Sequence, residues 1–152
     1  MKNRPKSSLR LSNYNYNKSG SYFITFCTSK RAPILGEITD GSIVLSDIGH
    51  VADLVWLDMQ RRFPNMNTYA IQIMPDHVHL LIYWKKDLSA SRGVIDLICQ
   101  YKSLVHYYFR KIRDTDLVPG FWQKSFHDRI IRGQGELKSI QQYIEDNPTN
   151  WI

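Results

Sequence analysis

Apolar residues along the chain follow two spacings, one typical of strands and the other of helices. Short runs rich in β-branched and aromatic residues indicate strands. Longer segments with apolar residues three and four positions apart indicate helices that bury one face. The predicted strands are residues 22–28, 34–38, 42–45, 69–74, 77–84 and 126–132, and the predicted helices are residues 47–62, 91–113 and 136–146. The predicted buried stripe of the longest helix is Val94, Leu97, Ile98, Tyr101, Leu104, Val105, Tyr108 and Ile112.

Turn-forming residues separate these segments. Asp40-Gly41 fits a tight hairpin turn between two short strands. Pro75-Asp76 breaks the chain between two longer strands, which we expect to pair as a hairpin. Pro148 ends the last helix because proline cannot continue it.

The main elements follow in the order strand, helix, strand, strand, helix, strand, with one more helix at the end. This order predicts an α+β fold, a ferredoxin-like βαββαβ antiparallel sheet with helices on one face plus a C-terminal helix. The first and third strands would be central. The second face of the sheet would be left for chemistry or for the last helix. We expect a basic N-terminal arm over residues 1–20 and a single domain over residues 21–152.

Composition and charge narrow the choice of partners. The 152 residues are 43% hydrophobic and 22% charged, which is ordinary for one globular domain. A formal net charge of +6 favours a polyanionic partner such as nucleic acid, and an anionic membrane surface would fit the same charge. Two cysteines, Cys27 and Cys99, are too few for a disulfide framework, so we expect reduced thiols in the core. The sequence has no apolar segment long enough for a signal peptide or membrane span, which predicts a cytoplasmic location.

Two histidines stand at the start of the strand predicted over residues 77–84. His77 and His79 alternate with Val78, and side chains two apart on a strand project from the same face. Neutral imidazole is the commonest metal ligand, so the pair would make half a metal site. An exposed polar face explains the same tripeptide equally well, and the pattern alone leaves both interpretations open.

The last predicted helix carries an apolar face and a tyrosine beside it. The apolar face consists of Leu137, Ile140 and Ile144. At about 100° per residue, Tyr143 lies a quarter-turn from the centre of that face. Asn147, four residues later, would lie on the same side as Tyr143. By position alone, Tyr143 is an edge residue of a packed surface and Asn147 is a helix terminator before a proline.

An ordered set of motifs resembles a known family. The motifs are Met74-Pro75-Asp76-His77-Val78-His79, Phe121-Trp122-Gln123, residues 126–132, Tyr143-Ile144, Asn147-Pro148 and Trp151, preceded by Arg10-Leu11, Tyr14-Asn15-Tyr16 and Gly20-Ser21-Tyr22-Phe23. Together they resemble the single-tyrosine HUH transposases. Among these, the chain looks most like the REP-associated tyrosine transposases, relatives of small insertion-sequence transposases that move single-stranded DNA. The resemblance covers nearly the whole chain.

The resemblance implies a metal-dependent endonuclease and strand-transferase that acts on single-stranded or hairpin DNA. Tyr143, on the C-terminal helix, would attack the scissile phosphate and form a covalent 5′-phosphotyrosine. His77 and His79 would bind Mg²⁺ or Mn²⁺, with Asn147 as a third ligand. Such a protein would act as a monomer or as a homodimer that exchanges its tyrosine helix, in a bacterial-type cytoplasm close to the nucleoid.

The resemblance also implies contacts with DNA. The basic residues that would contact phosphates are Arg4, Lys6, Arg10, Lys102, Lys124, Arg129 and Arg132. Tyr14, Tyr16 or Trp122 would stack on bases, although Trp122 fits a core position better. His127 stands where the family usually has an aromatic residue, and Asp76 where many relatives have Asn.

Two other functions remain compatible with these residues. A hairpin-binding protein could keep the fold without cleaving DNA or RNA. A metallohydrolase could use the histidine pair with Asp76 to activate water, and its product would be nicked DNA with no protein attached.

Overall fold

The computed structural model describes residues 20–85, 93–113 and 120–150. Its elements are β1 (Gly20–Cys27), β2 (Gly36–Thr39), β3 (Ser42–Leu45), α1 (Asp47–Arg62), β4 (Met66–Ile73), β5 (His77–Trp84), α2 (Val94–Arg113), β6 (His127–Ile131) and α3 (Gln134–Asp146). One turn of 3₁₀ helix, Ser29–Arg31, follows β1. Nearly all of the predicted N-terminal arm lies outside the described residues, including Arg4, Lys6, Arg10, Tyr14 and Tyr16.

Four strands form an antiparallel sheet in the order β4-β5-β1-β6. β1 pairs with β5 along its whole length, from Gly20 opposite Trp84 to Cys27 opposite His77. β6 pairs with the other side of β1, and β4 pairs with the other side of β5. The first and third main strands are therefore central, and the predicted βαββαβ fold is confirmed.

The hairpin of β2 and β3 forms a separate two-stranded sheet. Asp40 and Gly41 at its turn have φ values of 54° and 77°. A two-residue turn of type I′ requires positive φ at both positions, which explains the Asp-Gly pair. The chain then enters α1, where the Oγ of Ser46 accepts a hydrogen bond from the Gly49 amide at 3.1 Å and caps the helix.

One face of the sheet packs against α1 and α2 and forms the larger core. The strand residues in this core include Tyr22, Ile24 and Phe26 of β1, Met66 and Ile73 of β4, and Val78, Leu80, Ile82 and Trp84 of β5. The Tyr101 hydroxyl on α2 donates a hydrogen bond to the Ala52 carbonyl on α1 at 2.8 Å, so the two helices are also joined directly.

The opposite face of the sheet packs against α3. Its smaller core consists of Leu81, Leu137, Ile140 and Ile144, with Phe23, Ala70 and Ile131 at its margin. Because successive side chains on a strand point to opposite faces, alternate residues of β5 supply the two cores. His77 and His79 have the same parity as Leu81 and therefore share the face that carries α3.

Some predicted boundaries and burial assignments were wrong. β4 begins at Met66, three residues earlier than predicted, because Met66 already pairs with Trp84. On α2, Tyr108 and Ile112 are 43% and 47% exposed. Phe109 is buried in their place because its ring packs against Phe121, with ring centroids 4.7 Å apart.

The two cysteines have different environments. Cys27 is buried as predicted, but Cys99 is exposed, so the prediction that it is a core thiol was wrong. Cys99 follows Ile98 on α2 and lies off the face that the helix buries. None of the helices in the described ranges is long and apolar enough to cross a membrane.

Candidate functional site

The two histidines predicted from the sequence lie side by side at the start of β5. Both are buried, and their Nε2 atoms are 3.2 Å apart. Because β5 is a central strand, pairing with β1 and β4 fixes the backbone of this segment. An exposed polar face, the alternative for this tripeptide, does not describe the pair.

His77 is held by a carboxylate. Its Nδ1 lies 2.7 Å from Oδ1 of Asp76, and Arg31 donates to the same carboxylate from Nε at 3.0 Å and from Nη2 at 3.2 Å. Burial opposes ionisation of Asp76, but the hydrogen bonds from Arg31 and His77 outweigh it and hold its pKa below the usual range. Since a carboxylate only accepts, Nδ1 of His77 carries the proton, and the lone pair of neutral His77 lies on Nε2.

His79 is held by a hydroxyl. Its Nδ1 lies 2.8 Å from Oγ1 of Thr25, which stands directly opposite on β1. His77 Nε2 carries no proton, so the Nε2 of His79, 3.2 Å away, carries one in the metal-free protein and donates to it. The Thr25 hydroxyl can donate or accept, so the proton of His79 can move to Nδ1 when Nε2 binds a cation. Burial, followed by electrostatic interactions with His77 and Arg31, lowers the pKa of His79 to about 3. The imidazole is therefore neutral near pH 7, which is the form that binds metals.

This donor set fits a divalent cation. Neighbouring ligands of an octahedral site with bonds of about 2.1 Å lie roughly 3.0 Å apart, close to the 3.2 Å between the two Nε2 atoms. A carboxylate and a hydroxyl behind the rings are the kind of support that metal-binding histidines have. Within the described ranges, no three or more His, Cys, Asp or Glu side chains are arranged to hold a metal ion. A third ligand drawn from these described ranges would therefore be of another type.

Tyr143 of α3 lies beside the pair. Its ring centroid is 5.4 Å from that of His79 and 6.3 Å from that of Phe23. The aliphatic face of α3 rests on Leu81, two residues along β5 from His79, so a side chain at the edge of that face reaches the histidines. Tyr143 remains 53% exposed, which leaves it accessible to a macromolecule.

Asn147 lies four residues after Tyr143, about one helical turn further along the same side of the helix. It follows the last residue of α3 with φ −57° and ψ −46°, although residues before proline avoid the α region. Its amide still donates to the Ile144 carbonyl at 3.2 Å. Its side-chain Oδ1 is buried and has no hydrogen-bond partner among the described residues. A buried acceptor without a donor is costly, and this oxygen is therefore available to a ligand.

α3 runs along the sheet toward the histidine end of β5. The helix begins just after Ile131, at the far end of β6 from the histidines. Thr149, just after the end of α3, lies close to Gly41 of the β2–β3 hairpin turn. A Cβ atom added to Gly41 would be 3.9 Å from Thr149. The segment before that hairpin is joined to the turn preceding β5, since the Leu35 amide donates to the Pro75 carbonyl at 3.0 Å. The C-terminal end of α3, where Asn147 lies, therefore faces the end of β5 that carries the pair.

Arg129 and Arg132 lie where β6 leads into α3. Arg129 is on the site face, opposite Phe23, and its guanidinium pairs with Glu136 in the first turn of α3. The same carboxylate accepts a hydrogen bond from the Arg132 amide at 2.9 Å. Arg129 thus fastens the start of the tyrosine helix, whereas the Arg132 side chain is exposed.

Lys124 and His127 lie on the same side of the site. His127 is exposed and stands opposite Thr25, so it projects from the face that carries the histidine pair. Lys124 and His127 line a cavity of ≈ 100 Å³ together with Thr25 and Cys27. Among the basic residues predicted to contact DNA, Lys124 is brought to the immediate border of the site.

Lys102 and Trp122 form hydrogen bonds that hold the segment preceding β6 against α2. The Lys102 ammonium donates to the carbonyls of Gln123 at 2.9 Å and Ser125 at 3.3 Å. The Trp122 indole donates to the Lys102 carbonyl at 3.1 Å and its ring packs against Phe26, with centroids 5.1 Å apart. Trp122 therefore belongs to the helix side of the sheet, in agreement with its interpretation as a core residue.

Sequence reasoning missed Thr25 and Arg31. Thr25 could have been found, because alternation along β1 and pairing of two central strands would place it near the histidines. Arg31 gave no such signal. It lies in a polar turn, and only the three-dimensional meeting of that turn with Asp76 reveals its contact.

The profile of the family described as "Transposase IS200 like" matches residues 18–147. The chain belongs to this family. The family is one of transposases, enzymes that cleave and join DNA, and the resemblance seen in the ordered motifs is confirmed at this level. The IS200-like match includes every site residue discussed above from Thr25 to Asn147.

Two curated relatives come from Haemophilus influenzae. One, named only as an uncharacterized protein, is 26% identical and the alignment covers 96% of this chain and 89% of the relative. The other is named as a candidate REP-associated tyrosine transposase. It is 27% identical, with 91% of this chain and 76% of the relative covered.

Two solved structures share the fold. A REP-associated tyrosine transposase bound to a REP hairpin superposes with a TM-score of 0.64 at 16% identity, covering 94% of this chain and 76% of that one. A candidate transposase from Deinococcus radiodurans superposes with a TM-score of 0.54 at 20% identity, covering 90% and 95%. At these identities the likeness establishes the α+β architecture with its C-terminal helix.

Proposed function

We propose that this protein is a metal-dependent single-stranded DNA endonuclease and strand-transferase with Tyr143 as its nucleophile. One observation carries the proposal: the Tyr143 ring lies 5.4 Å from His79, whose Nε2 is 3.2 Å from that of His77. An accessible tyrosine stands next to a pair of imidazoles in a chain of the IS200-like transposase family.

The proposed metal site consists of His77, His79 and Asn147, holding Mg²⁺ or Mn²⁺. A cation bound there would polarise the phosphoryl oxygens and offset the negative charge that develops during the reaction. Asn147 is supported as a ligand by its buried, unpartnered Oδ1 and by its place one helical turn beyond Tyr143. Water would complete the coordination of such a hard cation.

Tyr143 would form and release the covalent bond to DNA. Its phenol oxygen attacks the scissile phosphorus, the bond from phosphorus to the 3′ oxygen breaks, and a 5′-phosphotyrosine with a free 3′-hydroxyl results. The phenol proton is lost and the leaving oxygen takes up a proton. A 3′-hydroxyl can later attack in reverse, and the phosphodiester energy is kept in the covalent intermediate. Contacts with Phe23 and His79 orient the phenol ring, while its exposure admits the strand.

The proposed substrate is a DNA hairpin with a single-stranded flank. Three observations support it: the net charge of +6, the exposed Lys124 and His127 beside the site, and the REP hairpin held by a protein of the same fold. Lysine and arginine at the border would contact phosphates and position the strand. Arg4, Lys6 and Arg10, with Tyr14 and Tyr16, remain predicted contacts in the arm outside the described residues.

Formation of a covalent adduct tests the proposal. The protein is incubated with a labelled hairpin oligonucleotide that bears a single-stranded flank, with Mn²⁺, and adducts are resolved on a denaturing gel. We expect an adduct with the wild type that is lost with Tyr143→Phe, with His77→Ala and on chelation by EDTA. Tyr107→Phe, which alters an exposed tyrosine on α2, is the matched control and should keep the adduct. An adduct that survives Tyr143→Phe would overturn the choice of nucleophile.

The same gel separates the other functions. A metallohydrolase that activates water through Asp76 would give nicked DNA with no protein attached, and it is disfavoured because both Asp76 oxygens already accept hydrogen bonds from Arg31 and His77. A hairpin-binding protein without cleavage would shift the DNA in a native gel and give neither product. Its binding would weaken with salt and would be unaffected by His77→Ala.

A further inference from the structure

We infer that Arg31 is a positioning residue for His77, which acts through Asp76 to hold Nε2 of His77 toward His79. The inference deepens the proposed function and rests on it only where the histidine pair is treated as a metal site. The hydrogen bonds of the Arg31 guanidinium go to Asp76 and not to a proposed metal ligand, so its role can be tested separately from catalysis.

The backbone of Asp76 is fixed first. Thr28 is fully buried, and both its amide, at 3.0 Å, and its hydroxyl, at 3.1 Å, lie within hydrogen-bond distance of the Asp76 carbonyl. The Leu35 amide donates to the neighbouring Pro75 carbonyl at 3.0 Å. The connection after β1 therefore forms a cradle, made of residues 28–35, that holds the turn leading into β5.

The side chain of Asp76 is fixed by Arg31. The guanidinium donates to both carboxylate oxygens, at 3.0 and 3.2 Å, and a planar fork of this kind sets the plane of a carboxylate as well as its position. The oriented Oδ1 then accepts from Nδ1 of His77 at 2.7 Å. Without Arg31, nothing holds the plane of the carboxylate, so Oδ1 rotates away from the ring for part of the time and the contact that fixes the His77 tautomer is weakened.

The backbone at Arg31 points to the same role. Lys30 and Arg31 have φ values of 56° and 54°, a left-handed conformation that non-glycine residues adopt at a cost. Two such residues in a row persist where the surrounding structure over-determines them, and strained positions of this kind cluster at functional sites. Here the strained turn delivers the Arg31 side chain to Asp76.

The two histidines therefore have unequal support. Thr25 can donate or accept, so the proton of His79 can lie on Nε2, where it donates to His77 in the metal-free protein, or on Nδ1 when Nε2 binds a cation. The Arg31–Asp76 pair permits only the Nδ1–H tautomer of His77. His77 is the fixed member of the pair, and Arg31 is the residue that makes it so.

Arg31→Met removes the charge and the fork while it keeps the aliphatic stem, at a side chain that is half exposed. We expect Mn²⁺ affinity, measured by calorimetry, to fall by about 10–100-fold, the range found when partners behind metal ligands are removed. Lysine keeps the charge but not the two-pronged guanidinium, so the Mn²⁺ affinity of Arg31→Lys should lie between those of the wild type and Arg31→Met. Lys30→Met is the matched control, since it makes the same change one residue earlier in the same strained turn, and it should leave affinity unchanged.

A second readout needs neither metal nor activity. Long-range ¹H–¹⁵N correlation spectra of the imidazoles in the metal-free protein should show His77 as a single Nδ1–H tautomer, and a tautomer mixture in Arg31→Met. A single tautomer in Arg31→Met, whatever the affinity or melting temperature, would overturn the inference, since the arginine would then be structural only. Loss of the fixed tautomer in a protein that binds no Mn²⁺ would instead uphold Arg31 as a positioning residue while the proposed metal-dependent function fails.

Discussion

The ring of Tyr143 lies against the ring of His79 at an angle of 63°, with centroids 5.4 Å apart. One residue comes from the C-terminal helix and the other from a central strand in the middle of the chain. Both belong to the same molecule, so we expect each molecule to use its own tyrosine, and mixtures of variants test this.

Two inactive variants should not rescue each other. We expect an equimolar mixture of Tyr143→Phe and His77→Ala proteins to form no DNA adduct, because each molecule supplies its own tyrosine to its own histidines. As a control, each variant is mixed with the wild-type protein to show that the variant does not inhibit adduct formation. Adduct formation in the variant mixture would show that molecules exchange α3, and the site would then be shared in a dimer.

The hydroxyl of Thr25 should matter for metal affinity although it would not bind the metal. Thr25→Val preserves the shape of the side chain but removes the partner of His79 Nδ1. We expect Mn²⁺ affinity to fall by roughly 10-fold, the lower end of the range for such partners. Thr25→Ser, which restores the hydroxyl, should recover most of the affinity in the same calorimetric titration. Equal affinities for the valine and serine variants would contradict the assignment.

The metal-free protein should lose stability as the pH falls from 6.5 toward 3. The pKa of His79 is about 3 in the folded chain, against 6.5 as its ordinary value, chiefly because of burial. Between these values the unfolded chain binds more protons, so the free energy of unfolding decreases on acidification. One such group contributes a slope of at most about 1.4 kcal/mol per pH unit. Below about pH 4 the lowered pKa of Asp76 acts in the same direction.

Urea denaturation at a series of pH values measures this slope. His79→Gln should flatten it, because the group that titrates on unfolding is gone. His50→Gln, at an exposed position on α1, is the matched control and should leave the slope in place. A wild-type slope that survives His79→Gln would assign the acid sensitivity to other groups.

The helix that carries Tyr143 should be the least stable helix of the fold. Its core is small, and Ile144 is one of only four buried residues in it. Ile144→Ala should destabilise the docking of α3 by about 2–5 kcal/mol, the usual cost of such a truncation. Hydrogen exchange should then accelerate in α3 while α1 and α2, which pack on the larger core, stay protected. Leu54→Ala, at an exposed position on α1, should change neither.

Local sequence patterns predicted the elements and the face on which the histidines lie. Alternation along β5 is sufficient to place His77 and His79 together, and the order of elements is sufficient to make that strand central. Burial at the end of α2 was not predictable from spacing. Phe109 rather than Tyr108 is buried because it packs against Phe121, which lies in a loop distant in sequence. Tyr143 was an edge residue by periodicity alone, and only the family resemblance indicated its role.

Contacts made by irregular segments could not be predicted from the sequence. Arg31 sits in a left-handed turn with no periodicity, so nothing in its neighbourhood points to Asp76. Glu136 likewise joins Arg129 and the Arg132 amide across a glycine-containing turn. Both contacts depend on how separate segments meet in space, which residue spacing does not encode.

The division of β5 between two cores has a consequence for how such a protein can diversify. The residues of the larger core point to one side of the sheet, and the histidine pair proposed to bind a metal points to the other. Exposed positions beside the histidine pair, such as Lys124 and His127, can therefore change without opening the larger core. Substitutions at these exposed positions could therefore change which DNA is recognised without unfolding the protein. In a mutant library confined to these positions, most members should still fold.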